Sequence, residues 1–192
     1  MCCVNRGMSA PWTILNDQQD SISQRDTGWI QLYAEDNQEI YDTVVQAYRI
    51  AEQAHIPVMV CYDGFILSHR NMPVKIENAE TVDSFLPRYK PAVEITANNP
   101  LNLLPVVFAD ERKDKNGILR GGYMEFRRTL ADDLITAKNI ISQTDAEFSK
   151  IFNRNYNGGL LKTYKIENAE HYIVTLGSLG SEAKTAIDEL RA

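Results

Sequence analysis

Cysteine is scarce in this chain: three in 192 residues, Cys2, Cys3 and Cys61. Three cannot build a disulfide framework, and no spacing is the Cys-x-x-Cys of a metal knuckle. Adjacent Cys2 and Cys3 are also poorly placed to chelate one ion. The expectation is a reducing compartment, the cytoplasm, with no metal held by this chain. Long apolar runs are missing too. The longest, Ile56 to Tyr62, is far below the roughly 20 residues that cross a bilayer. Residues 1–10 have neither the basic start with an apolar run nor the cleavage pattern of a signal peptide. Positive charge is in deficit, with 26 acidic against 20 basic residues and a net charge of −6. That disfavours nucleic acid, whose phosphates must be neutralised, but leaves open a small anion held by one or two placed cations. No Gly-x-Ser-x-Gly elbow, phosphate-binding Walker loop or Gly-x-Gly-x-x-Gly fingerprint occurs.

What is present is ordinary globular material. Hydrophobic residues make up 44% and charged residues 24%, and a chain of this length can bury roughly 70% of its unfolded surface. Met1 to Asp20 reads as a short strand and a long loop, because Ser9 to Trp12 and Asn16 to Asp20 are turn-forming and polar. Ile40, Val44, Ala47 and Ala51 recur at helical spacing and predict a helix from about Asn37 to Ala54, stopped by Pro57. Pro57 to Tyr62 is an unbroken apolar run, as in a parallel strand covered on both faces. Asp63-Gly64 then falls at the strand's C-terminal end, where α/β sheets place ligands.

Five of the seven prolines lie between Arg70 and Leu119 (Pro73, Pro87, Pro91, Pro100, Pro105), which marks a connector ending in the polar run Asp110 to Gly117. A helical pattern follows from about Gly122 to Asn155, with Phe126, Leu130, Leu134, Ala137, Ile141, Phe148 and Ile151 in its stripe. Its length and a capping-box pattern at Thr144 to Glu147 raise the expectation of two helices, ended by Asn157-Gly158-Gly159. Strands are expected at Leu161 to Ile166 and Tyr172 to Leu176, then a helix from Ser181 to Arg191. Lys-Ile-Glu-Asn-Ala-Glu occurs at 75–80 and at 165–170; its flanks differ, so it is read as coincidence rather than a repeat.

Few residues stand out chemically. Arg6 follows Asn5 at the end of a short apolar strand, where a guanidinium requires an anionic partner. Two partners fit: an internal carboxylate, or an anionic substrate gripped by the planar fork. Ser23 to Trp29 is either a self-paired Arg25–Asp26 surface loop or the rim of a cofactor pocket. His69 reads as a hydrogen bonder rather than a base, and His55 and His171 as solvated. Gly177-Ser178-Leu179-Gly180 has the spacing of a phosphate-cradling turn, a weak signal that more often just lets a helix start close to a strand.

Five blocks in chain order carry a resemblance: Val4-Asn5-Arg6-Gly7-Met8-Ser9-Ala10-Pro11-Trp12, Asp17-Gln18-Gln19-Asp20-Ser21, Gln24-Arg25-Asp26-Thr27-Gly28-Trp29-Ile30-Gln31, Asp63-Gly64-Phe65-Ile66-Leu67-Ser68-His69, and Phe152-Asn153-Arg154-Asn155-Tyr156 with Glu170 to Ser178. Together they resemble the alpha subunit of pyruvate (2-oxoacid):ferredoxin oxidoreductases. The resemblance implies a thiamine-diphosphate enzyme that decarboxylates a 2-oxoacid, passes electrons through iron–sulfur clusters to ferredoxin and hands the acyl unit to coenzyme A. It implies that Arg6, in the family's Asn-Arg motif, binds the substrate carboxylate with Asn5 beside it. It also implies beta, gamma and delta partner subunits, with magnesium and the iron–sulfur clusters held by those other subunits. The family's alpha subunit extends well upstream of that motif, where the glutamate that activates the cofactor's aminopyrimidine lies, and no residue here inherits that role. The resemblance therefore implies a chain shortened at both ends and inactive alone.

The fold expected is α/β: a partial pyrimidine-binding-type domain over 1–95, a connector with a long helix over 96–160, and the start of a transketolase C-terminal-like domain over 161–192. Tyr62 to Phe65 and Asp17 to Gln19 favour pyruvate. A branched-chain 2-oxoacid subunit and a non-catalytic assembly module are the alternatives. No nucleic acid or membrane is expected as a partner.

Overall fold

In the computed structural model the described residues are 1–91, 96–98, 112–113, 119–120 and 122–192. Three strands, β1 (Cys2–Asn5), β2 (Ile30–Tyr33) and β3 (Val58–Asp63), form a parallel sheet in the order β1-β3-β2. The apolar run predicted as a strand is thus the central one. Val58, Met59, Val60 and Cys61 are all buried, because a strand with neighbours on both sides and cover on both faces has no solvent side to offer polar residues. The register pairs Cys3 with Cys61 and Asn5 with Asp63 across β1 and β3, and Tyr33 with Cys61 across β2 and β3. β1 and β3 therefore end together, at Asn5 and Asp63, and β2 stops two residues short, at Tyr33 beside Cys61.

Helix α2 (Asn37–Ala54) connects β2 to β3 over one face. It starts where the Asp36 carboxylate accepts the Glu39 N–H at 2.8 Å and ends at His55 in the left-handed conformation, φ 53°. The predicted bounds hold, but the predicted face is incomplete. Ala47 and Ile50 pack with Ile30, Val58 and Val60 of the sheet, whereas Asp42, Val45 and Gln46 are buried on a second face. That second face exists because α5 (Gly122–Phe152) lies along α2, and no periodicity within α2 announces a helix that begins 68 residues after it ends.

Helix α5 is one continuous element about 46 Å long at 1.5 Å per residue, not two. The capping box does not operate. Thr144 is buried in mid-helix with its Oγ1 unpartnered, and the Glu147 carboxylate that would have completed the box pairs with Arg49 of α2 instead; Asp145, also buried, accepts the Gly158 N–H at 2.7 Å through Oδ2. The helix ends at Asn153, φ 54°, before the glycines expected to stop it. Phe126 and Ile151 are exposed rather than part of the buried stripe, and Phe152 takes the place at the core. Phe148 stacks on Phe152 at 4.2 Å, and Phe85 of α4 (Ala79–Phe85) meets both edge-on at 5.4 and 5.5 Å. The two six-residue copies differ in conformation: Asn78 caps α4 through Thr81 N–H, while Asn168 sits in a turn at φ 57°.

Pro100, Pro105 and most of the polar run from 110 to 117 lie outside the described residues; within them, Arg112–Lys113 (β4) pairs antiparallel with Leu119–Arg120 (β5). The strands expected at 161–166 and 172–176 do not form. Among the described residues no strand lies beside them to take their backbone hydrogen bonds, so the chain runs irregularly, with Tyr172, Ile173 and Val174 exposed. Helix α6 (Leu179–Leu190) follows close to its predicted place. None of the described helices is long and apolar enough to cross a membrane.

Candidate functional site

The C-terminal edge of the sheet gathers residues from four separate segments. At the end of β1, Asn5 is fully buried, and its amide Nδ2 donates to Asp20 Oδ1 and Ser21 Oγ, both at 2.7 Å. Its Oδ1 is buried with no partner. Asp20 Oδ2 accepts the Arg6 backbone N–H at 2.9 Å, so one carboxylate fixes both Asn5 and the start of Arg6. Asp20 belongs to the short helix α1 (Gln19–Ile22), which follows a loop folded back over the strand ends: Gly7 N–H donates to Leu15 O at 2.7 Å.

Arg6 is half-buried. Its Nη1 donates to the Ile14 carbonyl at 2.7 Å, and among the described residues no carboxylate pairs with it. Its stem crosses Gly64 closely. A Cβ on Gly64 would fall 2.6 Å from Arg6 Nε and 2.3 Å from the Asn5 carbonyl oxygen. Glycine at 64 is thus required by the close approach of β1's end to β3's.

Asp63, buried at the end of β3, gathers the remaining segments. Its Oδ1 accepts from Gln18 Nε2 at 2.9 Å and from Asn16 Nδ2, and its Oδ2 accepts the Ser178 N–H at 2.6 Å. The turn Gly177 to Gly180 therefore does hold an anion, but the anion is this chain's own carboxylate. Gly177 adopts φ 65°, and a Cβ there would lie 2.5 Å from Asp63 Oδ1, so the phosphate reading gives way to an internal cap on α6.

Next to Gly64, Phe65 has φ 66° and ψ −53°, and Ile66 N–H donates back to Gly64 O at 2.8 Å. This is a γ-turn of the rare, strained hand. The Phe65 ring is 45% exposed and stacks on His69 at 5.2 Å and 9°. His69 makes that ring contact rather than the hydrogen bond expected of it. His55 and His171 are exposed. Arg25 and Asp26 pair at 3.5 Å on the surface, and their loop touches α5 where a Gly28 Cβ would meet Leu130 at 2.8 Å.

Burial pushes the Cys61 thiol up to about 12 and raises that of Cys3, which lies near Asp20. Neither is a poised nucleophile. No cluster of three or more His, Cys, Asp or Glu among the described residues is arranged to hold a metal.

Two further ionic groups hold the body together. Arg154 donates Nε to Asp42 Oδ2 at 2.6 Å, Nη2 to Asp42 Oδ1 at 2.8 Å and Nη1 to Glu77 at 2.8 Å, and Tyr156 Oη adds a 2.6 Å bond to Asp42. Lys162 and Lys184 both reach Glu35 beside a cavity of about 210 Å³ between β2, α2 and the tail.

Residues 1–141 match the family of thiamine-diphosphate-binding domains of pyruvate flavodoxin/ferredoxin oxidoreductases. The chain belongs to this family. It is 42% identical over 194 residues to pyruvate synthase subunit PorA of Methanocaldococcus jannaschii, covering 100% of this chain and 47% of that protein. The corresponding subunit of Methanothermobacter thermautotrophicus is 42% identical over 193 residues, with the same coverage. Ketoisovalerate oxidoreductase subunit VorA of Pyrococcus horikoshii is 40% identical over 192 residues, covering 100% of this chain and 46% of its own length. The chain spans about half the length of the curated relatives it matches.

Within this family domain the structure brings Arg6 to the open sheet edge and turns Asn5 inward, onto Asp20 and Ser21. Sequence reading singled out the first as a cation that requires an anionic partner, internal or substrate. It missed Asp20 and Asp63 as the organisers of the edge. The available signal was an acidic residue closing the central apolar strand, where burial forces a carboxylate to collect hydrogen bonds.

Proposed function

We propose that this chain is the substrate-binding portion of a pyruvate:ferredoxin oxidoreductase alpha subunit and that Arg6 receives the carboxylate of the 2-oxoacid. One observation carries the reading. A half-buried guanidinium at the C-terminal edge of a parallel sheet uses only one backbone carbonyl, Ile14 O, and the internal carboxylate that would have satisfied it is absent among the described residues. An arginine so placed is a two-point receptor for a planar anion. Asp20, through the Arg6 N–H, and Gly64, under the Arg6 stem, fix where that receptor points. Asn5 supports the site from below rather than touching substrate.

The family to which residues 1–141 belong binds thiamine diphosphate, and the described residues fit the substrate end of such a site. They do not fit its metal-bound diphosphate end, for which they offer no ligand cluster. When bound, thiamine diphosphate supplies the nucleophile and electron sink for decarboxylation. Arg6 holds the acid in register. On this reading magnesium and the iron–sulfur clusters reside on other subunits (beta, gamma and delta), with ferredoxin taking the electrons and coenzyme A the acyl group in the cytoplasm. The cofactor is shared with a partner, and the chain alone is inactive. Residues 1–95 are then the pyrimidine-type part, 96–160 the connector, and 161–192 the opening of a transketolase C-terminal-like domain. A branched-chain 2-oxoacid is the second reading, because a ketoisovalerate oxidoreductase subunit is nearly as similar as the pyruvate synthase subunits.

The test is Arg6→Lys in the assembled complex, assayed as pyruvate-dependent ferredoxin reduction. A charged hydrogen bond is worth about 1.5–3 kcal/mol, so losing the fork lowers kcat/KM about 10- to 100-fold. A value within twofold of the unaltered complex overturns the role.

A further inference from the structure

The γ-turn at Phe65 starts the short helix α3 (Ile66–His69) and leaves the Phe65 side chain outside the core. A non-glycine residue at φ 66° is strained, and such strain persists where the surroundings hold it and clusters at ligand sites. Here the turn is held by the Gly64 O to Ile66 N–H bond at 2.8 Å and by the Phe65 N–H to Ser68 Oγ bond at 2.9 Å. What it achieves is to lift an aromatic ring out of the fold. Phe65 remains 45% exposed, backed by the His69 ring lying 9° from parallel. A side chain that only packed the core would be buried, and starting the helix does not require an aromatic residue at this position.

The ring's position relative to Arg6 gives it a purpose. Arg6 Nε lies 2.6 Å from where a Gly64 Cβ would be, and Phe65 is the next residue, about 3.8 Å further along the backbone. The Phe65 ring and the Arg6 stem therefore meet the same edge of the sheet, on either side of Gly64. Resting on the assignment of Arg6 above, we propose that the Phe65–His69 stack is the wall that meets the substrate's alkyl end and so sets which 2-oxoacid is accepted. The turn and the His69 stack hold the ring at this edge of the sheet. A wall of this kind discriminates by size. One methylene more or less in an apolar pocket is worth about 10- to 200-fold.

The experiment compares kcat/KM for pyruvate and for 3-methyl-2-oxobutanoate in complexes assembled with unaltered chain, Phe65→Ala, Phe65→Leu and His69→Ala. Glyoxylate, the 2-oxoacid with only hydrogen at that end, serves as a competitive inhibitor. Phe65→Ala is expected to shift the ratio at least tenfold toward the branched acid, Phe65→Leu and His69→Ala less, with the glyoxylate inhibition constant held within threefold. An active complex in which Phe65→Ala and Phe65→Leu leave the ratio unchanged overturns the wall. So does one in which glyoxylate and both substrates weaken equally. An unaltered complex that turns over no 2-oxoacid refutes the reading of Arg6 and this one with it, which distinguishes the two failures. Failure of Phe65→Ala and Phe65→Leu chains to assemble with partner subunits also overturns it, since the ring would then be an interface residue.

Discussion

Replacing Arg154 by methionine separates the charge of this residue from its bulk. Methionine keeps most of the stem that lies over the Phe148 and Phe152 rings, where the guanidinium carbon sits 5.8 and 5.7 Å from the centroids. It removes both donors to Asp42, at 2.6 and 2.8 Å. Asp42 is fully buried and would keep only Tyr156 Oη at 2.6 Å and Gln38 Nε2 at 3.2 Å. Breaking a buried ion pair from one side costs about 3–5 kcal/mol, because a charge is left without compensation. That is a large part of the 5–15 kcal/mol typical of a whole domain. Arg154→Lys retains one charged donor but not the fork, so about 1–3 kcal/mol is expected. The decisive variant is the double Asp42→Asn, Arg154→Met. The asparagine carbonyl still accepts from Tyr156, and a neutral amide is cheaper to bury than a lone carboxylate, so the double is expected to be more stable than Arg154→Met alone. Urea unfolding followed by tryptophan fluorescence and far-ultraviolet circular dichroism gives the ranking. If Asp42→Asn makes Arg154→Met worse, or if Arg154→Met costs less than about 1 kcal/mol, the account of the clamp as a compensated buried charge is wrong.

Two other perturbations test the sheet edge and the tail. Gly64→Ala places a methyl 2.3 Å from a backbone oxygen that cannot swing away and 2.8 Å from Arg6 Cδ. Overpacking of about 1–3 kcal/mol plus the weakened Gly64 N–H to Asn5 O bond, at 3.0 Å and worth about 1 kcal/mol, gives about 2–4 kcal/mol, measured by thermal unfolding; an unchanged melting temperature would sink the close-approach argument. The tail should loosen in acid. Burial works to raise the Glu35 carboxyl, but Lys162 and Lys184 outweigh it and hold the group below the usual carboxylate range. Its stabilisation is therefore present above the ordinary glutamate range and lost as pH falls through the depressed value. Glu39 runs the other way, because burial raises it and the folded chain binds its proton more readily. Lys162 is opposed by burial yet held above the usual lysine range by Glu39 and Glu35, so its contribution survives until pH rises past that range. Hydrogen exchange across Leu179–Leu190 should lose protection below about pH 4, and Glu35→Gln should remove that pH dependence. Protection that persists unchanged to pH 3 in the unaltered chain would contradict the assignment.

The elements read most accurately from sequence are those whose signal is local. The bounds of α2 follow from its apolar spacing, the capping Asp36 and Pro57 beyond its end. The central position of β3 follows from four consecutive buried residues, and α6 from a glycine-bearing turn. Errors arise where the partner of a segment is remote. Tyr172 to Leu176 has the composition of a strand, but a strand is defined by backbone hydrogen bonds to a neighbour, and the described residues provide none. Thr144 to Glu147 has the pattern of a cap, but Glu147 is used by Arg49, 98 residues away.

The candidate site divides in the same way. Sequence alone determined the family blocks, the lone cation Arg6 at a strand end, and the Asp63-Gly64 pair at the ligand edge of an α/β sheet, because these depend on residue type and nearest neighbours. Tertiary structure alone decided that Arg6 pairs with no carboxylate among the described residues, that Asn5 faces inward, that Asp63 rather than a phosphate fills the Gly177 turn, and that Phe65 is strained outward. For Asn5 and Asp63 the deciding partners, Asp20 and Ser178, arrive from 15 and 115 residues away. A buried polar group takes whatever partner the fold delivers, and only the folded chain specifies that partner.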